Sequence, residues 1–208
     1  MSKPDIILIG AGGHMRACID VIEQQNKFHI AGIVGKADEM HTRHLGYAVI
    51  ASDNSLPMIA KEYQNVLITV GQIKSHDTRV TLFQNAAALG FNFPVIISPR
   101  AYVSEHSNIA AGSIVMHDAI VNAGAKIGSN CIINSRALIE HDSSVDDFCH
   151  ISTGAILNGG ASLGFGSFVG SGSILKQNIS VGKCCIVGMG VKVRFNLGDH
   201  VEYLGKNR

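Results

Sequence analysis

The sequence predicts a two-part protein, in which an α/β Rossmann-like domain precedes a parallel β-helix. Two observations carry this prediction. In the first half of the chain, short runs rich in Ile and Val alternate with segments of helical spacing. In the second half, an aliphatic residue recurs at every sixth position. We therefore predict a Rossmann-like domain over residues 1–96 and a β-helix over residues 97–208.

Composition and charge restrict the class of protein. The 208 residues are 46% hydrophobic, and 17 basic residues nearly balance 16 acidic ones with no basic block. Nothing therefore indicates a nucleic acid or a membrane surface as a partner. The start, MSKPDIILIGAGG, lacks the features of a secretory signal, and no apolar run approaches the roughly 18 residues of a membrane span. Five cysteines without a C-x-x-C argue against a disulfide framework. We expect a soluble, cytoplasmic protein.

The elements of the first domain follow from its apolar runs. Ile19, Val21 and Ile22 predict a helix after the first run. Asp53, Asn54 and Ser55 are predicted to cap a second helix through Leu56 to Tyr63. The predicted strands of a parallel sheet are DIILIG (5–10), HIAGIVG (29–35), NVLITVG (65–71) and FPVIIS (93–98).

The first strand leads into a glycine-rich turn, GAGGH (10–14). Gly10, Gly12 and Gly13 would let backbone amides approach a phosphate at a helix N-terminus, and His14 would donate to a phosphate or hydroxyl. Gly71, at the end of the third predicted strand, is assigned to the same substrate site. The dinucleotide fingerprint is incomplete, since Met15 takes the place of its third glycine. A nucleotide or sugar site, a plain tight turn and a dinucleotide site all remain open.

The second half repeats with a period of six residues. This period is typical of hexapeptide β-helices, in which three short faces form one coil of a triangular prism, with the aliphatic residue pointing inward. The aliphatic positions are Ile97, Val103, Ile109, Val115, Val121, Ile127, Ile133, Ile139, Val145, Ile151, Leu157, Leu163, Val169, Leu175, Val181, Val187 and Val193. They span about five coils. A small residue usually follows four places later, and Cys131, Cys149 and Cys185 occupy such positions, which predicts that they belong to the core.

One polar stretch, LIEHDSSVDDFCH (138–150), interrupts this apolar pattern. Neither His141 nor His150 occupies an interior position, so both are predicted on the outside of the prism. Such histidines are often merely solvated. Here, however, Glu140 and Asp142 flank His141, and a carboxylate beside an imidazole orients it and keeps it basic, as a general base requires.

The segment IGAGGH, together with INSRALIEHDSSVDDFCHISTGAILNG ending at Gly159, resembles the NeuD/PglD family of bacterial sugar acetyltransferases. The resemblance covers almost the whole chain. It implies a left-handed β-helix, a homotrimer, and transfer of acetyl from acetyl-CoA to an amino or hydroxyl group of an unusual sugar for surface glycan biosynthesis. An acetyl thioester is already activated, so this transfer needs a base and alignment but no metal.

The resemblance also implies roles for particular residues. His141 matches the general base, Asp142 the acid that follows it, and His150 a second histidine near the acetyl thioester. Asn134 matches an asparagine of the same site. A backbone amide or His150 would polarise the thioester carbonyl. CoA in this family lies along the groove between neighbouring β-helices, where Gly154, Gly172 and Gly190 are predicted to line its path.

Two departures from the family pattern affect the ligands. Gly35 stands where many members that accept UDP-linked sugars carry an acid, with Asp38 as the nearest carboxylate in the sequence. The C-terminal YLGKNR replaces the usual G-x-P-A, so the adenine end of CoA is expected to be held differently. The segment INSRALIEH followed by ISTGAILNG resembles the sialic acid O-acetyltransferase branch more than the bacillosamine N-acetyltransferase branch. The acceptor remains open between O-acetylation of a sialic-acid-like sugar and N-acetylation of a nucleotide amino sugar.

Three other functions deserve comparison. A β-helix zinc hydratase of the carbonic anhydrase type needs three convergent histidines, for which His117, His141 and His150 are the candidates. A non-catalytic sugar-binding scaffold would leave these histidines as bystanders. A sugar nucleotidyltransferase also pairs the two folds, but the basic, glycine-rich loop expected after its first strand is absent from the sequence.

Overall fold

The computed structural model describes residues 3–205, which form two compact units. The first unit comprises the chain up to Gly71 together with Asp77–Ile96, and the second comprises Gln72–His76 together with the chain from Ile97 onward. The short segment Gln72–His76 therefore belongs structurally with the second unit, although it lies between two elements of the first.

The first unit is an α/β fold around one mostly parallel sheet. Its strands are β1 (Asp5–Ile9), β2 (His29–Gly35), β3 (Arg43–His44), β4 (Tyr47–Ser52) and β5 (Asn65–Ile68), and its helices are α1 (Gly13–Gln25), α2 (Leu56–Ile59) and α3 (Asp77–Ala88), with 3₁₀ turns at Ala37–Glu39 and Asp53–Ser55. The strand order is β3-β4-β2-β1-β5, with β3 and β4 forming an antiparallel hairpin. Strand β1 lies between β2 and β5 and is buried from Ile6 to Ile9, which explains its continuous apolar run.

The structure corrects three predictions in this unit. The run at 93–98 does not join the sheet, because only Ile96–Ile97 is extended and it pairs within the β-helix. The fourth parallel strand is instead β4, which the sequence analysis did not predict. The helix α2 ends at Ile59 rather than Tyr63, since the hydrogen bonds of the Lys61 and Glu62 N–H groups shorten to a three-residue spacing. The predicted capping residues Asp53–Ser55 form a 3₁₀ turn, and Ser55, at the N-cap of α2, makes no side-chain capping hydrogen bond.

The second unit is a left-handed parallel β-helix with three flat faces. Its strands are β6 (Ile96–Ile97), β7 (Tyr102–Val103), β8 (Asn108–Ile109), β9 (Ile114–Val115), β10 (Ile120–Val121), β11 (Lys126–Ile127), β12 (Ile132–Ile133), β13 (Leu138–Ile139), β14 (Ser144–Val145), β15 (His150–Ile151), β16 (Ile156–Leu157), β17 (Ser162–Leu163), β18 (Phe168–Val169), β19 (Ile174–Leu175), β20 (Ser180–Val181), β21 (Ile186–Val187), β22 (Lys192–Val193) and β23 (Glu202–Tyr203). Each strand from β6 to β19 pairs with the strand three places along, and β21 pairs with β23. The faces are sheets of six, five and seven strands.

The predicted repeat coincides with this architecture. Every predicted aliphatic is the second residue of a two-residue strand, and those from Val115 to Val193 are buried in one continuous core. The small residues fill the interior, and several of their side chains also donate hydrogen bonds to backbone carbonyl groups. The thiols of Cys131 and Cys149, for example, each reach a backbone carbonyl oxygen of the next coil at 3.1 Å. These cysteines are core residues, as predicted.

The corners of the prism have a regular backbone conformation. Every sixth residue from Gly112 to Gly190 has a positive φ. Most of these positions hold Gly, Asn or Asp, the residues that adopt the left-handed region at the lowest cost. The corner conformation turns the chain between faces and points the side chain before it outward, which is how polar residues come to be displayed on an apolar prism.

Candidate active site

His141 lies at one of these corners. It follows β13, whose inward residue is Ile139, and precedes Asp142, the left-handed corner residue with φ of 60°. Aspartate is one of the few residues other than glycine that tolerates this conformation. The His141 side chain is 66% exposed, so its ring is accessible to a ligand.

His141 and Asp142 form a hydrogen-bonded pair. His141 Nδ1 lies 2.9 Å from Asp142 Oδ2. Because a carboxylate only accepts, Nδ1 carries the proton and Nε2 of the neutral ring is left as the basic nitrogen. The hydrogen bond to Asp142 is the main cause that raises the pKa of His141 above its usual value, and the charges of Asp142 and Glu140 act in the same direction.

Two neighbouring residues fix this arrangement. Glu140 Oε2 accepts a hydrogen bond from Asn122 Nδ2 at 2.9 Å and also from the backbone N–H of His141 at 3.3 Å, which holds the Glu140 carboxylate in place. The ring of His141 packs over Gly159, where a β-carbon would lie only 2.6 Å from His141 Nε2. A side chain at this position would therefore displace the imidazole from its place over the backbone.

His150 is buried rather than solvated. It points outward from β15, as predicted, but it is only 7% exposed. Its Nδ1 lies 2.6 Å from the carbonyl oxygen of Gln72, and its Nε2 lies 3.2 Å from Asn134 Nδ2. The ring also meets Phe168 edge-on, with centroids 5.2 Å apart. The structure thus unites the two predicted residues His150 and Asn134 and adds a third, Gln72.

The glycines predicted to line the CoA path lie along one corner of the prism. Gly154, Gly172 and Gly190 are one coil apart, have positive φ, and leave open space where a β-carbon would stand. Near the last of them, the cavities on the final coils are lined by three cationic side chains, those of Lys176, Lys192 and Arg194. The predicted C-terminal departure falls partly on residues 206–208, which lie outside the described residues.

The glycine-rich turn of the first unit opens into a cavity of about 390 Å³. Gly10, Gly12 and Gly71 line it, whereas Gly13 and His14 form the first turn of α1. His14 lies beside Gly71, 3.5 Å from where its β-carbon would stand. Gly10 has φ of 114°, and a β-carbon there would lie 2.5 Å from the Val70 side chain, so this position requires glycine.

The carboxylates of this cavity differ from the sequence expectation. Asp38 was the nearest acid in the sequence, but Glu39 and Asp53 line the cavity together with Lys36. Glu39 Oε2 lies 2.8 Å from where a side chain on Gly35 would begin, and it accepts a hydrogen bond from the backbone N–H of Lys36 at 2.7 Å. Burial raises the pKa of Asp53, and the charge of Glu39 raises it further, against the opposing effect of Lys36.

A metal centre is not formed by the candidate histidines. Within residues 3–205, no group of three or more His, Cys, Asp or Glu side chains is placed to hold a metal ion. His117 instead pairs through Nδ1 with the Ser98 hydroxyl at 2.7 Å. The zinc hydratase alternative therefore lacks its ligand set.

Comparisons with known proteins agree on one family. The family model described as the PglD N-terminal domain matches residues 5–83, and a comparison with curated proteins gives no match. The acetyltransferase domain of PglB from Neisseria gonorrhoeae FA1090, solved in complex with acetyl coenzyme A, is 32% identical, with a TM-score of 0.87 over 96% of this chain and 95% of that chain. The chain belongs to the NeuD/PglD family of sugar acetyltransferases.

Two further structures place this NeuD/PglD chain among its relatives. A variant of perosamine N-acetyltransferase from Caulobacter crescentus, in complex with CoA and GDP-perosamine, is 30% identical, with a TM-score of 0.88 over 95% of this chain and 92% of that chain. WeeI from Acinetobacter baumannii AYE shares the fold at 19% identity, with a TM-score of 0.60 over 91% of this chain and 94% of that chain. Within residues 3–205, no helix is both long and apolar enough to cross a membrane.

Several residues of the candidate site were not found from the sequence. Gln72 is 78 positions from its partner His150, so no local pattern indicates their contact. Gly159 appeared only as one glycine of the family motif. The positions of Lys176 and Arg194, eighteen residues apart, follow from the repeat and were accessible to sequence reasoning.

Proposed function

We propose that this chain transfers acetyl from acetyl-CoA to the amino group of a nucleotide-linked amino sugar, with His141 as general base. The observation that carries the proposal is the His141–Asp142 pair, which leaves a basic Nε2 at an exposed corner. Family membership supports the reaction class. The related N-acetyltransferase that is solved with CoA and GDP-perosamine supports nitrogen rather than oxygen as the acylated atom.

The chemistry requires only positioning and proton transfer. The sugar amine attacks the thioester carbonyl carbon while His141 Nε2 takes a proton from the nitrogen. Asp142 stabilises the imidazolium that forms, through the Nδ1–H it already accepts. The carbon–sulfur bond then breaks, and the departing CoA thiolate takes the proton from the His141 imidazolium, which leaves free CoA, the amide and neutral His141.

The donor to the developing oxyanion is a separate question. Neutral His150 donates through Nδ1 to Gln72 and accepts at Nε2 from Asn134, so both of its ring nitrogens are engaged. This favours the backbone-amide alternative over direct donation from His150. We accordingly assign His150 and Asn134 to the acetyl end of the site, where His150 Nε2 accepts the hydrogen bond from Asn134.

The cavity of the first unit is proposed to hold the nucleotide of the acceptor. Its wall includes Gly12, at the N-terminus of the 13-residue helix α1, and helix N-termini attract phosphates. Glu39 and Asp53 supply carboxylate acceptors for ribose hydroxyls or for N–H groups of a base. This assignment does not depend on an acid at Gly35.

Acetyl-CoA is proposed to follow the corner of Gly154, Gly172 and Gly190, where backbone groups are open to a ligand. The cations Lys176, Lys192 and Arg194 would face its phosphates. We also propose a homotrimer, because closed symmetry between flat β-helix faces creates the clefts that this path requires. We propose a cytoplasmic location, with which cysteines that form no disulfide among residues 3–205 agree.

The direct test of the activity is an assay for CoA thiol release with acetyl-CoA and a panel of nucleotide amino sugars. Mass spectrometry of the product identifies the acylated atom. We expect an acetamido sugar. An O-acetyl product from a sialic-acid-like sugar would replace the proposed acceptor, whereas binding without turnover would support a scaffold protein.

A further inference from the structure

Gln72 connects two parts of the second unit. It is 3% exposed and belongs to the segment Gln72–His76, which packs with the β-helix. Its side-chain Nε2 donates to the Gly166 carbonyl at 3.0 Å, while the backbone carbonyl oxygen of Gln72 accepts from His150 Nδ1 at 2.6 Å. The side chain therefore anchors the backbone oxygen that holds His150.

The hydrogen bonds around His150 determine which of its ring nitrogens carries the proton. A backbone carbonyl only accepts, so the Gln72 contact requires a proton on His150 Nδ1. The backbone N–H of Ser135 donates to Asn134 Oδ1 at 2.8 Å, which assigns the amide orientation of Asn134 and turns its Nδ2 toward His150. His150 Nε2 must then accept from Asn134. The network fixes the neutral Nδ1–H tautomer.

From this geometry we infer that Gln72 is a positioning residue, which acts through His150 to orient Asn134 at the acetyl end of the site. The inference rests on the proposed function for its catalytic consequence. In the opposite tautomer, a hydrogen on His150 Nε2 would face the Asn134 N–H and turn this amide away. With Gln72 in place, one Nδ2 hydrogen of Asn134 forms the hydrogen bond to His150. Because the amide is planar, its second Nδ2 hydrogen then points in a fixed direction and can donate to a ligand.

The choice of glutamine at this position supports a role beyond packing. Gln72 Oε1 is buried without a hydrogen-bond partner among residues 3–205. An unpaired buried acceptor destabilises a folded protein, so an apolar side chain of similar length would serve packing better. What glutamine adds is the Nε2 donor that ties the segment to Gly166.

The first test needs no activity. Ring nitrogens of the full-length protein, labelled with ¹⁵N in histidine, are observed by NMR and assigned with His150→Gln. We expect a protonated, pyrrole-type Nδ1 and an unprotonated, pyridine-type Nε2 for His150. A protonated Nε2 with an unprotonated Nδ1 in the wild type would overturn the inference, whatever the enzyme catalyses.

The second test replaces the anchor while retaining the side-chain length. In Gln72→Met, we expect mixed tautomers of His150 and a kcat lower by about 10- to 100-fold, the scale of a small misplacement of reacting groups, with an unchanged KM for the acceptor sugar. The exposed neighbour Lys74→Ala serves as the matched control and should match the wild type. Wild-type kcat and one tautomer in a folded Gln72→Met would overturn the inference. The expected tautomer without any acetyl transfer by the wild type would refute the proposed function alone.

Discussion

At the scale of single residues, the candidate site depends on how Asp142 and Gly159 hold His141. Asp142 reaches the imidazole because it occupies a left-handed corner, and Gly159 leaves space for the ring. The chemistry thus uses positions that the β-helix provides at every corner and adds only the side chains. Histidine is basic near neutral pH, and the adjacent carboxylate raises the pKa of His141 further.

The first prediction concerns Asp142→Asn. General base catalysis requires neutral His141, so activity rises as pH increases through its pKa. Because the Asp142 hydrogen bond raises this pKa, its loss should move the ascending limb of the pH–rate profile to lower pH and should lower the plateau of kcat. The measurement is kcat/KM as a function of pH. The control is Asp146→Asn, a nearby exposed carboxylate, whose profile should match the wild type. A limb that stays in place in Asp142→Asn would contradict the pairing.

The second prediction concerns Gly159→Ala. The new methyl group would occupy the space of the His141 ring and displace Nε2, so kcat should fall by about 100-fold while the protein remains folded. Gly198→Ala is the matched control, since nothing lies within 4 Å of the corresponding position. Steady-state kinetics of both variants measure the change in kcat, and thermal melts show whether each variant is folded. Equal kinetics for the two variants would show that the ring need not stay over Gly159.

At the scale of elements, we propose that the glycine turn before α1 and the coils of the β-helix bind the two ligands. The turn leaves the helix N-terminus open because Gly12 has no side chain and nothing lies within 4 Å of its β-carbon position. The corner of Gly154, Gly172 and Gly190 does the same on the β-helix. Both elements offer backbone groups to phosphates or amides rather than large side chains.

The third prediction concerns Gly12→Leu. The leucine side chain would enter the cavity, so the KM for the nucleotide sugar should rise by about tenfold or more, because the lost phosphate contacts are worth at least 1.4 kcal/mol. The affinity for acetyl-CoA should stay unchanged. Gly12→Ala, which changes the same backbone position with little bulk, should behave like the wild type. Isothermal titration with each ligand separates these effects, and an equal loss of both affinities in Gly12→Leu would indicate misfolding rather than a blocked site.

Individual elements also show what a sequence can predict. The β-helix was predictable in detail because each coil repeats the same burial, so an error at one position is corrected by its neighbours. The segment 93–98 was not, because its apolar residues fit either sheet and only the pairing of Ile96–Ile97 with the β-helix decides. His141 and Asp142 were predictable as neighbours in the chain, whereas the contact of His150 with Gln72 depends on tertiary structure.

At the scale of the whole molecule, the proposed CoA path lies on the outside of one β-helix, so a partner is needed to complete a cleft. We therefore predict a homotrimer. Light scattering of the purified protein should give three times the mass of one chain, independent of concentration over the assay range. A fully active monomer would contradict both the assembly and the assigned CoA path.

The central claim is that His141 acts as the general base, and the pH–rate profile of His141→Ala tests it most directly. The wild type should show an ascending limb above the usual histidine pKa of about 6.5, as the raised pKa of His141 requires. In His141→Ala, this limb should vanish and kcat should fall by about 10²- to 10⁴-fold, with an unchanged melting temperature. A His141→Ala enzyme with near-normal kcat and the wild-type pH profile would contradict the claim.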